Sequence, residues 1–495
     1  MSLLAFDIGS SACKAVAFSS DGTVLSRHSH SYDPDFPAPS HAEMDAKNFW
    51  EAMCICSREA AKGLTDPVQA MCLSSHGESF VPVNARGEAV SPAILNQDNR
   101  AVTQTDWLEQ QFGRKHLFEI TGLVSHPMYS LPKIMWLKAH QPQAFSPDTR
   151  FVSVIGYLLL RLGLRPYIDF SLASRYLVFD VRECRWHDDI LKAAGLSPEQ
   201  LPIPVPAGTV AGELNAESAG HLGLPRGTKV VVGGHDQPCG ALGLGAIEPG
   251  RVADSMGTYE CLLGMSSAPV HTEIALANSL NSYRHVIPGK FATIAFFPSG
   301  IMMKWFHDFL YDTGGQQSSS DHYASMEANA PGGPTGLCIT PNLVGTCNPD
   351  FNPHARAVIF GLTAETSRSH VYKGILEGIA CEFSAMTKLL GNAIGDFGDV
   401  HVTGGGTVST LGLKLRASIA GKRLHLMRSP DAVCVGGAIL AVLAIGEHGS
   451  VSETVDHFVR EASVVEPDSA MRVAYTQQIV QYQRLHSALR PLQSS

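Results

Sequence analysis

The strongest constraint on the fold is one kind of turn that occurs in both halves of the chain. The first turn follows a hydrophobic strand in Phe6-Asp7-Ile8-Gly9-Ser10-Ser11, and the second follows a strand in Asp254-Ser255-Met256-Gly257-Thr258. Glycine lets backbone amides approach a polyphosphate, and hydroxyls can donate hydrogen bonds to its oxygens. The pattern predicts two domains that face one phosphate chain, although each turn alone also fits an ordinary connection between strands.

The length and the local patterns predict two α/β domains. The chain has 495 residues, far more than a single hydrophobic core usually organises. Candidate strands at Met71–Ser74 and Phe80–Val83 follow a helical pattern over Ala46–Gly63. Because this alternation is typical of α/β folds, we predict an N-terminal domain of residues 1–240 and a C-terminal domain of residues 241–495.

Composition excludes several classes of function. The formal net charge is −9, whereas a nucleic-acid binder needs a basic patch. The longest apolar stretches, Phe151–Leu164 and Val433–Ile445, are shorter than the roughly 20 residues of a membrane span. No secretory signal is visible, and the eleven cysteines form no CxxC pair. We therefore expect a cytoplasmic protein with reduced thiols and no nucleic-acid or membrane partner.

The residues around the first turn are suited to binding a phosphate together with a metal ion. Ser10 and Ser11 can donate to phosphate oxygens, and Lys14 can neutralise their charge. Asp7 can hold Mg²⁺ through water. The run is neither a Walker loop nor a G-x-G-x-x-G motif, so we expect a phosphate site of another kind.

Three consecutive glycines, Gly404, Gly405 and Gly406, precede the helical stretch Leu411–Ile419. An ordinary helix N-terminus needs only one capping residue, such as Thr407, and does not require three glycines. The lack of side chains leaves room for a flat ring or a phosphate. The run predicts a nucleotide contact, with a structural turn as the alternative.

Asp236 follows the strand Lys229–Gly233 near the junction of the two halves. An acid at the end of a strand in such a junction is well placed to abstract a proton. Aspartate is also a favoured helix N-cap, and a stretch of small residues, Cys239–Gly245, follows. Taken alone, the residue fits a cap better than a base.

Two longer motifs resemble the signatures of a known family, the FGGY carbohydrate kinases. The first signature is similar to Met128-x-Ser130-x-x-Lys133-Ile134-x-Trp136-Leu137. The second is similar to Ala357-Val358-Ile359-Phe360-Gly361-Leu362, His370-Val371 and Ile375-Leu376-Glu377. The resemblance implies an α/β fold with two actin/hexokinase-type (ribonuclease H-like) domains and a central active-site cleft, in which ATP and a sugar meet.

The resemblance also implies roles for individual residues. Asp236 matches the catalytic aspartate of the family, and Asp7 matches the acid near Mg²⁺. The implied contacts with the sugar are Gly77, Glu78, Asn96, Asp98, Arg100 and Gln237. The implied contacts with the nucleotide are Ser10, Ser11, Lys14, Gly257, Thr258, Gly300, Lys304, Gly405 and Gly406.

Two departures from the family pattern bear on the substrate. Asn96 stands where many relatives carry tryptophan, so a hydrogen-bonding wall replaces an apolar one in the sugar pocket. Gly345-Thr346-Cys347-Asn348-Pro349 stands where many relatives carry Gly-Glu-Arg-x-Pro, which removes an acid–base pair. These departures question the identity of the sugar more than they question phosphoryl transfer.

The function implied by the resemblance is ATP-dependent phosphorylation of a sugar at a primary hydroxyl, with Asp236 as general base. Motifs similar to those of the L-fuculose, L-rhamnulose and xylulose kinases favour a ketose of four to six carbons, with a polyol as the alternative. Rival classes are a sugar- or nucleotide-sensing protein without turnover and an ATPase of the actin or chaperone kind. The latter should lack both signatures. The resemblance also allows a homodimer.

Overall fold

The first part of the chain alternates strands and helices in a computed structural model, which describes residues 1–144, 146–310 and 319–492. Its strands are β1 (Ser2–Ile8), β2 (Ala12–Ser19), β3 (Val24–Ser31), β4 (Glu43–Met44), β5 (Val68–Ser75), β6 (Phe80–Val83), β7 (Ala93–Ile94), β8 (Arg150–Ser153), β9 (Tyr167–Asp169), β10 (Phe179–Asp180), β11 (Arg185–Trp186), β12 (Ile203–Val205), β13 (Val210–Glu213) and β14 (Lys229–His235). Its helices are α1 (Ala46–Ala61), α2 (Val102–Phe112), α3 (Arg114–Thr121), α4 (Ser130–His140), α5 (Val154–Arg161), α6 (Phe170–Ser174), α7 (Asp188–Ala194), α8 (Ala216–Leu222) and α9 (Asp236–Gly243).

The second part repeats this alternation. Its strands are β15 (Arg251–Met256), β16 (Tyr259–Ser266), β17 (Asn281–Arg284), β18 (Phe291–Pro298), β19 (Cys338–Thr340), β20 (Val358–Phe360), β21 (Asp399–Thr403), β22 (Arg423–Met427) and β23 (Glu461–Val465). Its helices are α10 (Glu273–Ala277), α11 (Gly300–Leu310), α12 (Ser319–Ala328), α13 (Arg368–Ile394), α14 (Thr410–Ala420), α15 (Ala432–Ala444), α16 (Val451–Phe458), α17 (Ser469–Ala474) and α18 (Thr476–Leu489).

Six strands follow the same order in each of the two large sheets, and the second sheet has β17 as a seventh strand beside β18. In the first sheet β1, β2 and β3 form an antiparallel meander, and β5 and β14 extend it in parallel on the other side of β1. In the second sheet β15, β16 and β18 form the meander, and β21 and β22 extend it in parallel. An antiparallel edge strand, β13 or β23, follows in each. This repeat confirms the predicted α/β fold with two ribonuclease H-like units, although the two halves share little sequence.

Helix α15 belongs to the second part of the chain but packs on the first sheet. Its apolar residues Val435 and Ile439 lie in one buried cluster with Leu3 and Ala5 of β1. The helix accounts for the apolar stretch Val433–Ile445. No described helix is long and apolar enough to cross a membrane.

Helices α9 and α15 cross with their backbones in close approach. A Cβ atom built on Gly436 would lie 2.0 Å from the carbonyl oxygen of Cys239. A Cβ atom on Gly243 would lie 1.9 Å from the carbonyl oxygen of Ala432. Real Cβ atoms do not come so near to backbone oxygens, so the crossing requires glycine at both positions.

We predict that Gly436→Ala lowers the free energy of unfolding by about 1–3 kcal/mol, because the new methyl group forces the two helices apart. The matched control is Gly240→Ala on α9, where the Cβ would lie 3.7 Å from Val433, an ordinary contact. That change should be neutral or stabilising, since alanine favours a helix over glycine by about 0.5–1 kcal/mol. Denaturant unfolding measures both. Equal stability of the two variants would contradict the account of the crossing.

Candidate active site

Several predicted site residues lie at the carboxyl ends of three parallel strands, along one edge of the first sheet. Strands β1, β5 and β14 are adjacent and parallel, so their carboxyl ends lie side by side. Asp7 lies at the end of β1, Gly77 and Glu78 follow β5, and Asp236 follows β14 as the first residue of α9. Open α/β sheets bind their ligands at this edge.

A cavity of about 180 Å³ at this edge contains three aspartates, and we call it the acidic cavity. Asp7, Asp236 and Asp431 line it together with Lys14 and Gln237. Lys14 lies opposite Asp7 in the register of β1 and β2. Burial raises the pKa of Asp7, the charge of Lys14 opposes this effect, and Asp431 adds to it. The structure therefore brings together the acid, the cation and the aspartate that the sequence singled out.

Asp236 carries a partly buried carboxyl whose ionised form is disfavoured. Burial, followed by repulsion from Asp7 and Glu78, raises its pKa to about 8, while the backbone amide of Gln237 acts in the opposite direction. Its Oδ1 atom has no hydrogen-bond partner among the described residues. His235 Nε2 lies 3.1 Å away without the alignment of a hydrogen bond. The helix cap is His235 rather than Asp236, so the cap interpretation of this aspartate is wrong.

The sequence analysis assigned no role to two residues beside Asp236. The imidazole Nδ1 of His235 lies 2.9 Å from the hydroxyl of Tyr283, which reaches the site from β17 in the second sheet. Burial lowers the pKa of His235 well below its usual value, so the imidazole is neutral near neutral pH. Tyr283 belongs to no motif, and only the packing of β17 against the first part reveals it.

Glu78 pairs with a second residue that the sequence analysis missed, Arg175. The Nε atom of Arg175 donates to Glu78 Oε1 at 2.5 Å, and both side chains are 4% exposed. Glu78 adopts a left-handed backbone conformation with φ of 58°, which is rare for a residue other than glycine. A Cβ on Gly77 would lie 3.0 Å from the Cγ of Arg175 and 3.0 Å from the ring of His235. Gly77 thus leaves room for this arginine.

Asp98 and Arg100 form a buried ion pair with each other. Arg100 Nε donates to both carboxylate oxygens of Asp98 at 2.8 and 2.9 Å, and its Nη2 atom pairs with Glu43 at 2.7 Å. Neither residue is among those lining the acidic cavity. The nearby Asn96 Oδ1 is buried and lacks a hydrogen-bond partner within the described ranges. The contacts of these three residues with the sugar stay predictions.

A second and larger cavity lies in the second part of the chain. It measures about 1040 Å³, and we call it the glycine cavity because Gly257, Gly300, Gly405 and Gly406 line it. Close packing explains one of these glycines, since a Cβ on Gly300 would lie 2.4 Å from the carbonyl oxygen of Gly257. The other predicted nucleotide contacts along this cavity are Thr258 and Lys304.

Ser10 and Ser11 are not among the residues lining either cavity. Ser10 Oγ accepts a hydrogen bond of 3.4 Å from Gln97, and Ser11 is exposed. Their contacts with phosphate stay predictions.

A buried charge cluster supports the wall of the glycine cavity. Arg416 donates to both oxygens of Glu260 at 2.9 and 2.8 Å, and Ser299 donates to the same carboxylate at 2.9 Å. Burial and the charge of Glu260 raise the pKa of Asp254 well above its usual value. Sequence reasoning missed the cluster because its members come from β15, β16, α14 and the residue that precedes α11.

Models of two protein domains match most of the chain, up to residue 445. The N-terminal domain model of the FGGY family of carbohydrate kinases matches residues 2–243, and its C-terminal domain model matches residues 252–445. The chain belongs to this family. It is a carbohydrate kinase, as the two sequence signatures predicted.

Relatives of this kinase act on different substrates. It is 25% identical to a gluconokinase of Bacillus subtilis over 92% of its own length and 90% of the relative's. It resembles the crystal structure of a xylulose kinase from Lactobacillus acidophilus with a TM-score of 0.91 and 21% identity, covering 100% of this chain and 99% of the other. It also resembles Plasmodium falciparum glycerol kinase with ADP, with a TM-score of 0.87 and 18% identity over 98% and 97% of the two chains.

The residues of the two cavities fit a nucleotide and a magnesium ion. A Cβ on Gly405 would meet no atom within 4 Å, so the glycine cavity is open beside it. Mg²⁺ prefers oxygen ligands, and with phosphates and waters present it needs only one or two carboxylates. Asp7 offers one in the acidic cavity. The described residues contain no group of three or more histidine, cysteine, aspartate or glutamate side chains that could hold a metal without such help.

We predict that Gly405→Val raises the KM for ATP at least about 10-fold and leaves the KM for the sugar within about 2-fold, because the side chain projects into the glycine cavity. The matched control is Gly398→Val, since a Cβ at Gly398 also meets no atom within 4 Å but lies outside that cavity. Steady-state kinetics and thermal unfolding measure the effects. Equal values of the KM for ATP in the two variants would contradict the nucleotide assignment.

Proposed function

We propose that this kinase transfers the γ-phosphoryl group of ATP to a primary hydroxyl of a ketose of four to six carbons, with Asp236 as the general base. The observation that carries the proposal is the state of Asp236 in the acidic cavity. Its side chain is 24% exposed, but its Oδ1 atom is buried without a hydrogen-bond partner among the described residues, and its pKa is raised to about 8. Once it is deprotonated, a carboxyl with so high a pKa is a strong base toward a hydroxyl placed beside it.

In the proposed reaction Asp236 accepts the hydroxyl proton as the sugar oxygen forms its bond to the γ-phosphorus. The bond between that phosphorus and the β,γ-bridging oxygen breaks, and ADP leaves with the electron pair. Lys14 offsets negative charge on the phosphates from its position opposite Asp7. Bound Mg²⁺, held by Asp7 through water, would supply further positive charge. Closure of the two domains would exclude water, which competes with the sugar as acceptor.

The polar surroundings of Asn96 and Glu78 support a substrate with several hydroxyls. Asn96 Oδ1 is a buried acceptor without a partner in the described part of the chain, and a sugar hydroxyl would satisfy it. The ketose is favoured over a polyol by the mixture of ketose-kinase motifs in the sequence. The structural resemblance to a glycerol kinase keeps the polyol as a second candidate.

Two further predictions accompany this proposal. All eleven cysteines are free, which supports the cytoplasmic location expected for reduced thiols. The family resemblance also allows a homodimer, which a measurement of mass in solution would test.

We predict that Asp236→Asn lowers kcat by roughly 10²–10⁴ and leaves the Kd values for ATP and sugar nearly unchanged, because the amide cannot accept the proton. A coupled ADP-release assay over a panel of ketoses and polyols first identifies the best acceptor. Asp189→Asn, at an exposed position of α7, is the control and should keep full activity. Retention of kcat within a few-fold in Asp236→Asn would mean that another group takes the proton. Failure of every sugar to stimulate ATP consumption would favour a sensing protein.

A further inference from the structure

Arg175 has one donor, Nη1, without a well-aligned acceptor among the described residues, although the guanidinium also interacts with the hydroxyl of Tyr129. The guanidinium lies between the rings of Tyr129 and Tyr283, at 5.1 and 4.8 Å from their centres. Its Nε and Nη2 atoms both engage Oε1 of Glu78. Its Nη1 atom is buried and has no hydrogen-bond partner among the residues that the structure describes.

This donor lies in the immediate surroundings of Asp236. The side chains of Arg175 and His235 both approach Gly77, since a Cβ there would meet each of them at 3.0 Å. His235 in turn contacts Asp236 at 3.1 Å. The positive charge of Arg175 also acts against the rise in the pKa of Asp236. A substrate atom bound to Nη1 would therefore sit close to the proposed base.

A purely structural role does not account for the unused donor. A guanidinium cannot lose its proton in a protein, and a buried donor without an acceptor is costly. Arg416, which is also buried, uses all three of its guanidinium nitrogens, on Glu260, Gly412 and Ser299. Both contacts between Arg175 and Glu78 are made to the same oxygen, Oε1. The other carboxylate oxygen of Glu78, Oε2, takes no part in this ion pair.

We propose that Arg175 is a specificity-determining residue that donates from Nη1 to an oxygen of the sugar, while Oε2 of Glu78 accepts from a neighbouring hydroxyl. The two side chains together would recognise adjacent oxygens, as in a diol or a hydroxyketone. This inference rests on the proposed function, because it names a further contact at the same site.

The pair also selects for a neutral ligand. Glu78 already balances the charge of Arg175, and Asp7 and Asp236 add negative potential nearby. A carboxylate placed against Nη1 would meet this potential without a free positive charge to offset it. The inferred substrate class is therefore a ketose or polyol, and not an aldonic acid.

Calorimetric binding measurements test this inference without depending on turnover. The best-binding ketose or polyol is compared with its singly deoxygenated analogues on the wild-type protein and on Glu78→Gln/Arg175→Gln. The double variant removes both charges together, so that neither is left buried alone. In the wild type, one deoxygenation should weaken binding by about 10- to 100-fold, because it leaves Nη1 unpaired again.

In the double variant we expect the same deoxygenation to change the Kd by less than about 3-fold, since the contact is already lost. If both proteins show the same ratio of Kd values, Arg175 only shapes the site and the inference is wrong. If the double variant does not fold, Arg175→Lys provides the same comparison. Lysine can pair with Glu78 through its single amino group, but it has no second terminal nitrogen equivalent to Nη1.

Two further outcomes separate this inference from the proposed function. Sugar binding without phosphorylation would overturn the proposed reaction. The Arg175 contact would still be tested by the ratio of the Kd values for the sugar and its deoxygenated analogue. The wild type should bind an aldonic acid at least about 10-fold more weakly than the ketose of equal length. Equal or tighter binding of the acid, or no binding of any sugar, would overturn the inference.

Discussion

The structure depends on the crossing of α9 and α15, where two helices from different parts of the chain approach backbone to backbone. Gly243 and Gly436 leave no side chain between them that could adapt to a change in spacing. Asp236 begins one helix, and Asp431 immediately precedes the other. The crossing therefore fixes the distance between residues of the two parts that line the acidic cavity. Both helices also direct their N-termini, with their partial positive charge, toward that cavity.

A second constraint is electrostatic. Burial is the main reason why the charged form of Asp236 is disfavoured, and repulsion from Asp7 and Glu78 adds to it. The backbone amide of Gln237 and the charge of Arg175 offset only part of this effect. Such an arrangement costs folding stability, and it persists in proteins where a carboxyl must change its protonation state during function. The neutral His235 beside Asp236 adds a polar neighbour without adding charge.

The sequence predicted those parts of the fold and site that depend on local patterns. The strand Phe80–Val83 is confirmed, the strand predicted at Met71–Ser74 extends to Val68–Ser75, and the helix predicted over Ala46–Gly63 ends at Ala61. The proximity of Asp7 and Asp236 follows from the order of parallel strands, because residues at their carboxyl ends must meet. Lys14 joins them from the start of the antiparallel strand β2, opposite Asp7.

Long-range contacts limited the rest of the prediction. Arg175, Tyr283 and Arg416 belong to no short motif, and their partners lie about 50 to more than 150 residues away along the chain. The sequence also paired Asp98 with Arg100 as sugar contacts, but it could not show that Glu43 and the backbone of Ala42 surround that pair. The sequence also could not predict that α15 packs on the first sheet. Its apolar run indicates that the helix is buried, but it does not indicate which surface the helix packs against.

The most direct test of the central claim is the pH dependence of kcat/KM for the sugar, measured with both substrates far below saturation. Under these conditions the profile reports the ionisation of the free enzyme. Because the base must be deprotonated to act, the account predicts that log kcat/KM rises with a slope near one and levels off above about pH 8, the pKa of Asp236. A profile that is flat from about pH 6 to pH 9 would show that no group with this pKa takes part, and it would contradict Asp236 as the base.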